Sequence, residues 1–301
     1  MGKTTSFNAR KTIKLKAMKI SIILPAKDES SSLNTLLPAI KQRYPDAELI
    51  VVDDGSSDNT AAVVEQNGAI IVKHPYNIGN GAAVKSGARA ATGDILVFMD
   101  ADGQHNPEDI KPLLEKLDEG FDMVVGSRSM SGQANVGRGL ANTLYNMFAS
   151  YMVGQKIEDL TSGFRAVNAE KFRQFLYLLP NGFSYPTTIT MAFFRAGYKV
   201  AYHSIHVQQR MGKSHIRPLK DGVRFALIIF RVGTLYSPLK LFLPLSFFHF
   251  VIGFSYYLYT YITQGRFTNM SALLFITSIL IFLIGLVSEQ ISSLHYRNSN
   301  R

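Results

Sequence analysis

From Met18 onward, short apolar runs rich in β-branched residues alternate with longer stretches whose apolar positions recur at a helical period. Residues 19–25, 49–53, 69–73, 95–100 and 123–126 read as strands. These runs are almost continuously apolar, so both faces of each strand are expected to be covered, as in a parallel sheet flanked by helices. Helical pieces follow at 140–153, 169–179 and 187–196, and a further strand at 200–207. The expected fold class is α/β.

Farther along, the pattern changes. Residues 241–262 and 270–288 contain no Asp, Glu, Lys or Arg. Each stretch covers most or all of a hydrocarbon core of about 30 Å as a helix, and its apolar character runs all round rather than along one stripe. A two-helix transmembrane hairpin is expected. Within 216–238, Val223, Leu227, Phe230 and Leu235 lie near one face with Arg224 and Arg231 elsewhere, the pattern of an amphipathic interfacial segment. The chain thus divides into a basic, disordered arm (1–17), a globular domain (18–215), the interfacial segment (216–238), the spans (239–291) and a tail (292–301).

Charge orients this arrangement. The net charge of +10 gathers near the spans: Lys213, Arg217, Lys220, Arg224, Arg231 and Lys240 come before the first, and Arg297 and Arg301 after the second. The connector 264–271 holds only Arg266. By the positive-inside rule the globular domain and both termini are cytoplasmic. Anionic lipid accounts for the basic excess, so no nucleic-acid partner is expected. Residues 1–19 lack the apolar region of an export signal, and the absence of cysteine fits a reducing compartment. Neither span presents an evident small-residue seam, which leaves a homo-oligomer possible but unspecified.

In a parallel sheet, ligands gather at the carboxyl ends of the strands. The residues there are Pro25-Ala26-Lys27-Asp28-Glu29, Asp53-Asp54-Gly55-Ser56, Asp100-Ala101-Asp102-Gly103-Gln104 and Gly126-Ser127-Arg128. With Asp100 and Asp102 ending a strand, a period of two turns both carboxylates to one side, where they suit Mg²⁺ or Mn²⁺ shared with phosphate oxygens. Asp53 or Asp54 is placed to accept hydrogen bonds from a base or ribose, while Ser57, Asp58 or Asn59 caps the following helix. Gly79-Asn80-Gly81 reads as a tight turn into a helix carrying Lys85; it lacks the third glycine of a dinucleotide fingerprint. His105, His203, His206 and His215 match no compact zinc spacing.

Pro25-Ala26-x-x-Glu29, Asp53-Asp54-Gly55-Ser56 and Asp100-Ala101-Asp102-x-Gln104-His105, in this order, resemble the family 2 inverting glycosyltransferases of the GT-A fold. Gly126-Ser127-Arg128, Asp159-Leu160-Thr161-Ser162-Gly163-Phe164-Arg165 and Arg210-x-Gly212-x-Ser214 narrow the resemblance to the polyprenyl-phosphate sugar synthases. The resemblance implies a GT-A domain over 18–215 in which Pro25, Ala26, Glu29, Asp53, Asp54, Lys85, Asp100 and Ala101 bind the nucleotide-sugar, with Arg210 and Lys213 at the donor phosphates or a closing loop. Asp100, Asp102 and Gln104 would hold the metal ion, with Asp102 catalytic. Arg128, Arg138 and Arg165 would bind the acceptor phosphate, a role that suits guanidinium forks.

Many relatives carry an acid within the stretch 183–188, where this chain has Thr187 and Thr188. Asp159 is then the candidate base or acceptor-positioning carboxylate, or else a structural partner of Arg165. The implied reaction moves a hexose from a UDP- or GDP-sugar to a polyprenyl phosphate. Another membrane glycolipid acceptor and an inactive membrane scaffold are the alternatives.

Overall fold

The computed structural model describes residues 18–128, 136–182, 184–206, 230, 233–234 and 237–298. The chain forms two compact units, Met1–Met147 with Gln155–His215, and Phe148–Gly154 with Ile216–Arg301.

The first unit is built on a seven-stranded sheet of order β3-β2-β1-β4-β6-β5-β7. Its strands are β1 (Ile20–Ala26), β2 (Glu48–Asp53), β3 (Ile70–Lys73), β4 (Ile95–Phe98), β5 (Met123–Arg128), β6 (Arg165–Asn168) and β7 (Val200–Ile205). The helices between them are α1 (Ser30–Arg43), α2 (Thr60–Gln66), α3 (Asn80–Ala90), α4 (Ile110–Asp118), α5 (Val136–Val153, which from Phe148 on belongs to the second unit), α6 (Ala169–Arg173) and α7 (Tyr185–Arg195). Ile22, Ile23 and Leu24 of β1, Val51 and Val52 of β2 and Leu96, Val97 and Phe98 of β4 have no exposed surface. Consecutive buried residues require cover on both faces, which is why the strands are continuously apolar. On one side, Gly87 lets α3 approach β1 so closely that a Cβ there would lie 2.4 Å from Ile23 Cγ2.

The sheet is α/β and mostly parallel, as expected, with two differences. β6 runs antiparallel between β4 and β5, and no strand was anticipated at 165–168. Because it is antiparallel, the start of β6 lies at the same edge as the carboxyl ends of β4 and β5. In addition, β4 stops at Phe98, so Asp100 and Asp102 sit in the loop and turn beyond it. Their relation is set by that turn, not by pleat alternation.

The second unit contains two helices long and apolar enough to cross a membrane, α8 (Pro238–Gln264) and α9 (Asn269–Asn298). Gly265, in the left-handed region at φ 62°, ends α8. Contrary to the expectation, the hairpin has a small-residue seam: Ser246, Gly253 and Thr260 on α8, and Ser271, Ser278, Gly285 and Ser292 on α9, repeat every seven residues and are all buried. Ser246 Oγ donates to the Ser278 carbonyl at 2.8 Å and Ser278 Oγ to the Ser246 carbonyl at 2.9 Å. At the start of α8, the Leu239 amide donates to Glu289 Oε2 at 3.2 Å, and Lys240 Nζ donates to the Met152 carbonyl at the end of α5 at 2.9 Å. The interfacial segment expected at 216–238 falls almost wholly outside the described residues.

Candidate active site

β1 and β2 end in register, Ala26 opposite Asp53, and the loops that follow are tied together. The Asp54 amide donates to the Ala26 carbonyl at 2.9 Å, and the Asp28 amide to Ser56 Oγ at 2.9 Å. Asp28, in the left-handed region at φ 55°, accepts from the Ser57 amide at 2.7 Å, and that bond, with another from the Ser57 hydroxyl, holds its carboxyl below the usual range. Asp58 accepts from the Thr60 amide at 2.9 Å and, across the loop, from the Ser30 amide at the start of α1 at 3.0 Å. It serves two chain segments where one cap was expected.

Asp53 and Asp54 are both buried, and both are engaged by the protein. Asp53 Oδ1 accepts from the Ser56 amide at 2.9 Å. Asp54 accepts from His74 Nδ1 at 2.7 Å, the Ile78 amide at 2.9 Å and the Gly79 amide at 2.8 Å. Burial pushes the Asp54 carboxyl up, but these hydrogen bonds outweigh it and leave the pKa lowered. His74 Nε2 lies 2.9 Å from Ser86 Oγ on α3, completing a chain from Asp54 to Ser86. His74 was missed by the reading of strand ends, although it directly follows β3. Glu29 Oε2 accepts from Ser32 Oγ at 3.1 Å. Lys85 Nζ donates to the Leu179 carbonyl at 3.0 Å and also bonds Asn181 Oδ1, so this amine is tied to the 179–181 loop.

Beyond β4, the Asp100 carboxylate is 40% exposed, with His105 Nε2 at 3.8 Å. His105 is buried and stacked on Phe164, ring centroids 4.9 Å apart. The other wall is Gly163, where a Cβ would lie 3.3 Å from both Asp100 oxygens. Asp102 Oδ1 accepts from the Gln104 amide at 3.1 Å, and Ala101 between the two acids is buried. Among the described residues no group of three His, Cys, Asp or Glu side chains is arranged to hold a metal ion. Two hard carboxylates, one of them partly exposed beside a glycine whose Cβ would crowd it, nevertheless fit Mg²⁺ or Mn²⁺ completed by substrate phosphate and water.

At the end of β5, Arg128 forks onto Asp159: Nε donates to Oδ2 at 2.8 Å and Nη2 to Oδ1 at 3.0 Å. The Asp159 side chain is 2% exposed and that of Arg128 37%. Asp159 also accepts from the Thr161 amide at 3.0 Å, the Ser162 amide at 3.1 Å and Thr161 Oγ1 at 3.1 Å. Burial opposes both charges, yet the pairing wins: the Asp159 carboxyl is lowered and the Arg128 guanidinium raised, the latter with a contribution from Asp100. The partner of Asp159 is therefore Arg128 and not Arg165. Its lone pairs are taken up in positioning that arginine.

Arg165 requires a correction. It was expected at the acceptor phosphate, but it has no exposed surface. Its Nη1 donates to Thr190 Oγ1 at 3.1 Å and the Pro186 carbonyl at 3.4 Å, and Nη2 bonds the Ser162 carbonyl. A guanidinium enclosed in this way beneath the loop cannot reach a lipid phosphate. Arg138 lies on α5 at a position whose side chain is outside the described residues, as are Arg210, Lys213 and His215 altogether.

Residues 21–176 match Glycosyl transferase family 2, and residues 237–294 match the GtrB C-terminal hairpin. An undecaprenyl-phosphate 4-deoxy-4-formamido-L-arabinose transferase of Proteus mirabilis is 35% identical over 161 residues, 50% of this chain but only 49% of that protein's length. An undecaprenyl-phosphate mannosyltransferase of Micrococcus luteus is 28% identical over 212 residues, covering 65% of this chain and 87% of the relative. Among solved structures, glucosyl-3-phosphoglycerate synthase from Mycobacterium tuberculosis, in complex with Mn²⁺, UDP and glucosyl-3-phosphoglycerate, shares the fold with a TM-score of 0.59. That likeness covers 75% of this chain and 83% of the other at 23% identity.

Proposed function

Because the chain belongs to glycosyl transferase family 2, we propose that it moves a hexose from a UDP- or GDP-sugar to a polyprenyl phosphate, inverting the anomeric carbon. The observation that carries this reading is the pairing, along one sheet edge, of an open carboxylate, Asp100, with a fork-locked guanidinium, Arg128. The first suits the metal-bound diphosphate of a donor, and the second a phosphate acceptor. The names of the relatives, which act on undecaprenyl phosphate, support the acceptor class.

A polyprenyl phosphate monoester, with a second pKa near 6, is largely dianionic at neutral pH and needs little deprotonation before it attacks. A saturated Asp159 is compatible with that chemistry, since its task is to aim Arg128. Asp100 and Asp102, with Gln104, would hold a divalent cation, which supplies charge neutralisation to the leaving diphosphate. Arg128 steadies the incoming phosphate, and in-line displacement then inverts the sugar. The basic flanks Lys240 and Arg297 support a reading in which the two apolar helices span the bilayer and the transferase unit and both chain ends are cytoplasmic.

The test is incubation of the full-length protein with undecaprenyl phosphate, Mn²⁺ and a panel of labelled UDP- and GDP-sugars. One donor should give a labelled lipid, and the product should vanish with EDTA or in Asp102→Ala. Failure with every donor would sink the acceptor assignment.

A further inference from the structure

We infer that Arg165 and Tyr185 form a buried floor that positions the Asp100 carboxylate for divalent-cation binding, acting through the backbone of Ser162 and Gly163. The inference rests on the metal-holding role proposed for Asp100, and adds two positioning residues and a glycine to it.

Arg165 is an unusual thing to bury. A guanidinium without solvent contact is expensive unless paired, and among the described residues no acid forms an ion pair with this one. Its hydrogen bonds run to neutral acceptors only, Ser162 in the 159–163 loop, Pro186 and Thr190 in α7, and the Met123 sulfur of β5 at 3.7 Å. Its charge lies 5.9 Å from the centroid of the Tyr185 ring and acts electrostatically on Asp100 and Asp159. One side chain therefore ties the loop to the helix from below and leaves a fixed positive charge under two carboxylates.

Tyr185 is 1% exposed and donates its hydroxyl to the Gly163 carbonyl at 3.4 Å. Gly163 is the residue against which Asp100 rests: a Cβ there would meet Tyr185 Oη at 3.1 Å and both Asp100 oxygens at 3.3 Å. The 163 peptide thus limits where the carboxylate oxygens sit, and Tyr185 and Arg165 fix that peptide. At the other end of the loop, the Asp159 fork fixes Thr161 and Ser162 in the same way. Metal sites depend on such outer contacts for the aim of their ligands.

The test reads Mn²⁺ binding to the purified full-length protein by electron paramagnetic resonance, with UDP and, separately, GDP present and no acceptor. Gly163→Ala should bind Mn²⁺ about tenfold or more weakly, the usual scale for an outer-contact change. Arg165→Lys should weaken it comparably, because an ammonium cannot bracket both segments. Tyr185→Phe alone, which removes a single long hydrogen bond, should weaken it measurably but less than Arg165→Lys. The double variant Gly163→Ala/Tyr185→Phe should regain part of the loss, since the added methyl can move into the space the hydroxyl vacates. Near-UV circular dichroism checks that each variant is folded; a merely structural effect would make the double variant worse than either single one. Unchanged Mn²⁺ affinity in folded Gly163→Ala, or no recovery in the double variant, overturns the floor. Wild-type protein that binds no Mn²⁺ overturns the metal role of Asp100 and the floor together.

Discussion

Removing the Arg128 side chain isolates the charge it faces, and the structure sets the size of the effect. In Arg128→Ala, Asp159, whose side chain is 2% exposed in the parent, keeps four donors, the Thr161 and Ser162 amides, the Thr161 hydroxyl and the residue 128 amide, but loses both guanidinium bonds. Breaking a buried pair by deleting one partner ordinarily destabilises by about 3–5 kcal/mol. The remaining donors and the partial exposure of Arg128 reduce this to about 2–4 kcal/mol. For a unit of this size that is a fall in Tm of roughly 4–16 °C. Arg128→Lys keeps the charge but not the fork, and should fall by less than half as much while still losing transfer to the acceptor. The pH dependence has a definite sign. The Asp159 carboxyl is lowered from its ordinary 3.8, so its contribution is fully present above that value and is lost as pH falls through the folded pKa. The raised Arg128 pKa contributes no titration in the acid range. The gap between wild type and Arg128→Ala should therefore be constant near neutrality and close below about pH 4. Differential scanning fluorimetry across pH 3–8 measures it. A loss under 2 °C at pH 7, or a gap that persists unchanged to pH 3, would refute the role assigned to the pair.

Two further outcomes follow from other parts of the molecule. His74→Ala leaves Asp54 buried without its 2.7 Å partner, and should cost about 1–3 kcal/mol in denaturant unfolding; a donor KM that rises with kcat unchanged would place the Asp54 loop at the nucleotide, and an unaltered stability would show that the His74 bond is immaterial. Gly285→Leu should part the hairpin, because even a Cβ at 285 would lie 2.7 Å from Phe242 Cβ. Cysteines placed at 253 and 274, in a chain with none of its own, should cross-link in the parent and fail to do so in the leucine variant.

The strands were legible because burial on both faces writes itself into composition: the central residues of β1, β2, β4 and β5 leave no room for a polar side chain. β6 was not, since its four residues begin with arginine and nothing local says that an arginine will be buried. The same blindness explains the exchange of partners at Asp159. Arg165 is six residues away in the chain and Arg128 is 31, and only the antiparallel insertion of β6 beside β5 brings Arg128 within 2.8 Å. The ends of β1, β2 and β4 carry acids that stand out in the sequence, whereas His74 after β3 gains its meaning only from the bond to the buried Asp54. Tyr185 and Gly163 carry no chemical signature at all; their importance comes from contact with Asp100 through backbone atoms.

The hairpin shows the reverse case, a pattern fully written in the sequence yet invisible to the wrong ruler. A search for small residues four apart passes over Ser246, Gly253 and Thr260, and over Ser271, Ser278, Gly285 and Ser292, because their interval is seven. Seven residues is two turns at 3.5 per turn, the repeat that keeps one seam facing a partner helix along its length. In lipid this seam has a particular reason to be made of small residues. Apolar side chains gain nothing by leaving hydrocarbon for one another, so close backbone approach and interhelical hydrogen bonds must hold the helices together. The reciprocal Ser246–Ser278 bonds and the contact of Gly253 with Leu274 supply both. What remains on the outer faces is large: Phe247, Phe254, Ile262, Ile276 and Leu283 are all exposed, a surface suited to lipid tails. Since the small-residue face is consumed within a single chain, a dimer built through these spans would have to pack bulky side chains against each other. The hairpin is thereby better suited to pairing within one chain than to joining two chains.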